Sequence, residues 1–68
     1  MQFSEKFDIP VALELNDHLP VKISKPQRAC LKGVRGQSGM VLLEHRFFNG
    51  KYYTSENSIQ RFVNAMNE

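Results

Sequence analysis

The sequence predicts a small α+β domain, and three features carry the prediction. Asn49-Gly50 separates two runs rich in β-branched and aromatic residues, which is the pattern of a tight β-hairpin. Ile59, Phe62, Val63 and Met66 then recur at i, i+3, i+4, i+7, the stripe of an amphipathic helix. Upstream, two proline-marked segments carry helix-start signals. Sixty-eight residues make one domain, 1–68, with no repeat or linker long enough to divide it. A chain this short buries only about 60% of the surface its unfolded form exposes, so the core is expected to be modest.

Taken in order, residues 8–20 carry two signals at once. Asp8 suits an N-cap and Pro10 the first turn of a helix, while Val11, Leu15 and Leu19 repeat at i, i+4, i+8. Phe7, Ile9, Val11, Leu13 and Leu15 also alternate strictly, as a strand would. A short helix ending at Pro20 is the favoured reading, with a strand as the alternative. Ser24–Lys32 reads as a second helix, with Ser24 as N-cap, Pro26 in the first turn and Gly33 as the stop. On its helical wheel Lys25, Arg28 and Lys32 share a narrow face, while Cys30 and Leu31 turn away from it. Val34–Gly39 reads as a flexible glycine connector.

Met40–Tyr53 is predicted to be one hairpin. With Asn49-Gly50 as its loop, Phe48 faces Lys51, Phe47 faces Tyr52 and Arg46 faces Tyr53. Phe47 and Tyr52 then form an aromatic cross-strand pair. Aromatics on both faces leave open which face meets the core. Thr54–Asn67 is the last helix, capped by Thr54 or Ser55, with Glu56 near the positive end of its dipole.

Charge is sharply partitioned within a net of +2. Residues 1–17 set Glu5, Asp8, Glu14 and Asp17 against Lys6 alone. Residues 18–43 contain no acid but carry Lys22, Lys25, Arg28, Lys32 and Arg35. Residues 44–68 balance Glu44, Glu56 and Glu68 against Arg46, Lys51 and Arg61. A basic block inside a nearly neutral chain points to a polyanionic partner, although a solvated lysine face would have the same composition.

Composition argues against other classes. No apolar run approaches the roughly 20 residues of a membrane span. Met1–Lys6 lacks the apolar core of a signal peptide, and the lone Cys30 suits a reducing, cytoplasmic setting. Cys30 has no base nearby in sequence and reads as a buried apolar residue, not a nucleophile. His18 and His45 are isolated, so no metal site, cofactor or enzyme activity is expected.

The order helix, turn, basic helix, connector, hairpin, helix matches a winged helix-turn-helix. Such a domain has two short helices, a β-hairpin wing and a C-terminal helix. Gly33-Val34-Arg35-Gly36, Val41-Leu42-Leu43-Glu44, Asn49-Gly50-Lys51-Tyr52-Tyr53-Thr54-Ser55 and Arg61-Phe62 carry a further signal. Together they resemble the small excisionase-like winged-helix proteins of phages and mobile elements, which are related to MerR-type DNA-binding domains. The resemblance spans roughly residues 24–66. It departs at Gln27 and Ala29, where similar sequences often have aromatic residues, and at Gln37–Met40, which looks like an insertion.

The resemblance implies double-stranded DNA as partner, through Arg28 and Lys32 of a recognition helix and the wing at Gly50–Tyr53. Lys22, Lys25, Lys32 and Arg35 are expected on phosphates, and Gln27 and Arg28 on bases, since Gln suits adenine and Arg suits guanine. Lys51 and Arg46 belong to the wing, and Ser24 and Asn49, at the helix start and wing tip, complete the expected set. A dimer or tandem assembly on DNA is expected, because one short helix and a wing give limited specificity. The alternative is a phage-type module that inhibits a host protein, docking through its basic face and aromatic hairpin. Stacking of Tyr52 or Tyr53 on RNA bases is a third option.

Overall fold

A computed structural model describes residues 5–67, so most of the Met1–Lys6 segment lies outside the described residues. The chain is an α+β domain with three α-helices and two antiparallel sheets among those residues. In order these are β1 (Ile9–Pro10), α1 (Val11–Glu14), a 3-10 turn (Leu15–His18), α2 (Arg28–Leu31), β2 (Val34–Gly36), β3 (Gly39–Val41), β4 (Arg46–Phe48), β5 (Lys51–Thr54) and α3 (Glu56–Met66).

Residues 8–20 use both of their periodicities in succession. Ile9 and Pro10 pair as a strand with Thr54 and Tyr53, and only then does the chain turn helical. Pro10, not Asp8, occupies the N-cap, with the extended backbone (φ −64°, ψ 121°) that a cap needs. Val11, Leu15 and Leu19 are all buried, as the i, i+4, i+8 spacing requires. The following loop is closed by the Asn16 amide. Its Nδ2 donates to the Ile23 carbonyl at 2.9 Å and its Oδ1 accepts from the Ile23 amide at 2.8 Å.

The predicted helix 24–32 shrinks to one turn, Arg28–Leu31, with Gln27 at the N-cap and Ser24 outside it. Its end has a tertiary cause. The Ala29 carbonyl accepts from the Leu43 amide at 2.8 Å, while Gly33 N–H reaches back to the Arg28 carbonyl at 2.7 Å. Helical bonding therefore stops, and Gly33 takes a φ of +90° that favours glycine.

The predicted connector is a hairpin. β2 and β3 pair Val34 with Val41, Arg35 with Met40 and Gly36 with Gly39. Met40 and Val41 thus belong to this first hairpin and not to the Asn49-Gly50 one. Gln37–Met40 is its turn and returning strand. The hairpin is latched to α3 by the Gln37 amide, which donates to the Met66 carbonyl at 3.2 Å. Gly36 sits close under the Met66 backbone, where a Cβ would come within 3.1 Å of Met66 Cα.

The second hairpin forms in the expected register, Phe48 with Lys51, Phe47 with Tyr52, Arg46 with Tyr53. Asn49 and Gly50 both have positive φ, 55° and 79°, as a type I′ turn demands. Phe47 and Tyr52 rings lie 5.0 Å apart, and Tyr52 packs on the core, so theirs is the inward face. β5 is central in the sheet order β1-β5-β4. Ser55 caps α3, accepting from the Ser58 amide at 3.1 Å, and Ile59 and Phe62 are buried. Thr54 closes β5 instead and donates to the Glu44 carbonyl at 2.8 Å.

Candidate nucleic-acid interface

All ten residues expected in the interface are exposed. Lys22, Ser24 and Lys25 lie in the loop leading to α2, Gln27 and Lys32 bracket it, and Arg28 opens it. Arg35 stands on β2, Arg46 on β4, and Asn49 and Lys51 at the tip of the second hairpin. The wheel that put Lys25, Arg28 and Lys32 on one face does not hold, because α2 covers only Arg28–Leu31. Lys25 belongs to the preceding turn, where its carbonyl accepts from the Arg28 amide at 3.0 Å.

Packing of α1 against β5 brings distant members of the set together. A groove of about 260 Å³ is lined by Gln27, Lys51, Tyr52 and Tyr53 together with Pro10, Ala12 and Leu13. A second groove of about 280 Å³ adjoins it, sharing Ala12 and Gln27 and adding Lys25, Arg28 and Leu31. The two make one surface in which Lys25, Gln27, Arg28 and Lys51 surround an apolar strip. Leu13 is 78% exposed and Leu31 60% exposed on that strip.

Other members of the set stand outside the grooves. Lys22 Nζ donates to the Asn16 carbonyl at 3.0 Å. The Arg46 guanidinium lies 4.4 Å from the centre of the Phe7 ring, a cation–π contact, and lines a separate hollow with Cys30 and Leu42. Arg35 is on the two-stranded sheet.

Among the described residues the ion pairs involve only Arg61, so none of the five cations at 22–35 is paired with a carboxylate there. The acids gather on the other side of α1. Glu5, Asp8, Glu14 and Glu56 line a groove of about 460 Å³ together with Lys6 and His18. Glu14 of α1 thus borders the acidic groove, and Ala12 and Leu13 the cationic one.

Arg61, to which sequence reasoning assigns no role, organises a polar network. Glu5 Oε2 accepts from Ser55 Oγ and Ser58 Oγ, both at 2.8 Å, and from Arg61 Nη2 at 3.0 Å. Arg61 Nε also donates to Glu44 Oε1 at 2.7 Å. The serine hydroxyls and Arg61 hold the Glu5 carboxyl below the usual carboxylate range. Glu44, then Glu5, raise the Arg61 guanidinium further. Ser55, Ser58 and Arg61 recur at helical spacing, which is the signal that could have revealed the network. Several positions carrying the family resemblance, Glu44, Thr54, Ser55, Arg61 and Phe62, therefore serve the fold. Cys30 is buried and its thiol is pushed up to about 11 by desolvation, so it is protonated at neutral pH.

No helix among the described residues is long and apolar enough to cross a membrane. No family model, curated protein or solved structure matches this chain.

Proposed function

We propose that this chain is a winged-helix protein of the excisionase or small-regulator type that binds double-stranded DNA. In this assignment α1 and α2 form the helix pair and β4–β5 the wing. One observation carries it: Gln27 beside the acid-free cationic loop and Lys51 of the hairpin line a single groove. A winged helix needs its reading helix and wing on one surface. Lys22, Lys25, Lys32 and Arg35 neutralise phosphates and Lys51 meets the backbone, which gives affinity without sequence information. Gln27 and Arg28 face base edges. The apolar strip at Ala12 and Leu13 is suited to thymine methyl groups, which also line the major groove.

The test is a mobility shift with mixed-sequence duplex DNA at about 50 and 200 mM salt. Retardation should weaken steeply with salt, at about −0.9 per phosphate contact in log K against log salt. No retardation at the lower salt would exclude DNA binding. A second assignment, docking on an acidic host protein, is favoured by Leu13 and Leu31, both exposed between cations.

A further inference from the structure

We propose that Phe48 is a wedge that inserts its ring at a base step of duplex DNA and bends the duplex. This rests on the DNA-binding role proposed above and adds a bending activity that direct readout does not require.

Phe48 is 68% exposed at the foot of the type I′ turn. Among the described residues it joins no ring contact, whereas on the opposite face Phe47, itself 63% exposed, contacts Tyr52, and His45 adds an edge-on contact to Tyr52 at 5.3 Å. The face of Phe48 carries Lys51 directly across from it, with Arg46, stacked on the Phe7 ring, and Tyr53 one pair further along. A neutral apolar partner would leave the two cations desolvated without an anion, whereas a polyanion takes up both.

An aromatic ring offered between cations at a narrow tip has the chemistry of minor-groove insertion. There, apolar side chains wedge adjacent base pairs apart while basic residues hold the flanking phosphates. Only the tip need enter, so the roughly 6 Å width of the groove is no obstacle to a single ring. β4 is the outer strand of its sheet, so the hairpin tip with Phe48 stands at the sheet's edge.

The experiment compares the wild-type chain with Phe48→Ala, Phe48→Trp and Lys51→Ala. The probes are end-labelled duplexes of about 20 bp with either a central TA step, which unstacks easily, or a stiff A-tract. Wild type should shorten the end-to-end distance of the TA duplex and prefer it to the A-tract. Phe48→Ala should keep its melting temperature and salt slope, but lose the bend and about tenfold in affinity, as expected for a lost stacking contact. Lys51→Ala should flatten the salt slope and retain some bend. The chain has no tryptophan, so Phe48→Trp supplies a unique reporter whose emission should be quenched on stacking. Equal bending and affinity for wild type and Phe48→Ala would overturn the wedge and leave the DNA-binding role standing. So would indole emission from the Phe48→Trp chain that is unchanged in a DNA complex. The aromatic tip would then be free for a protein partner. Absence of any DNA complex with wild type would overturn both proposals together.

Discussion

Replacing Gly33 by alanine places a Cβ 2.8 Å from the Val41 carbonyl oxygen and 3.2 Å from its carbon, on a backbone with a φ of +90°. Two costs add. Left-handed backbone disfavours an L side chain by about 1–2 kcal/mol. Moving a packed backbone carbonyl aside costs about 1–3 kcal/mol more, as other overpacked sites do. The sum, roughly 2–5 kcal/mol, is a large share of the roughly 3–10 kcal/mol expected for a domain of this length. Gly50→Ala is the internal control. Its φ is +79°, yet nothing lies within 4 Å of the added Cβ, so only the backbone cost applies. The melting temperature followed by circular dichroism should therefore drop by about 10 °C or more for Gly33→Ala, at roughly 4–8 °C per kcal/mol, and clearly less for Gly50→Ala. Equal losses at the two sites would show that the approach of Val41 to Gly33 imposes no steric demand.

The polar network and the cations can be tested in the same way. Glu5 has a carboxyl pKa below its ordinary 4.5 when folded, so its contribution is present above that value and is lost as pH falls through the folded pKa. Melting temperature should accordingly fall with pH below about 4.5, and Glu5→Gln should show a shallower fall on the same titration. Lys32→Ala should weaken all duplexes alike, while Arg28→Ala should cost about 1–3 kcal/mol and relax preference at one base pair. Identical, sequence-independent losses would remove Arg28 from base reading. Lys51→Ala should melt like wild type and lower the salt slope by about one unit, and an unchanged slope in a competition titration would make the lysine a solubilising residue only.

The elements legible in the sequence are those whose bonds are local. Asn49-Gly50 dictates its own turn and with it the register of β4 and β5, and α3 carries both its cap at Ser55 and its stripe at Ile59 and Phe62. Residues 24–39 mislead in sequence because their structure depends on partners far along the chain. Leu43 takes the Ala29 carbonyl and ends α2, and Met66 receives the Gln37 amide and fixes what reads as a connector. Residues 8–20 are ambiguous because the segment changes from strand to helix at Pro10. The cations of the candidate site are visible as a charge block. The groove joining Gln27 to Lys51 is not, since it exists only because α1 packs on β5.

The division made by α1, acids on one side and unpaired cations on the other, gives the molecule a directed field as well as a charged patch. A polyanion approaching the acidic groove is repelled and one approaching Lys25 and Arg28 is drawn in, so rotational sorting happens before contact. For a domain this small, tumbling is fast relative to diffusional approach, and the torque acts throughout the encounter. The benefit appears in the association rate and vanishes as salt shortens the Debye length to about 8 Å, well below the 31 Å long axis of the molecule. Neutralising Glu14 and Glu56 together raises the net charge from +2 to +4, so encounter with a polyanion at low ionic strength should quicken while its orientational bias is lost.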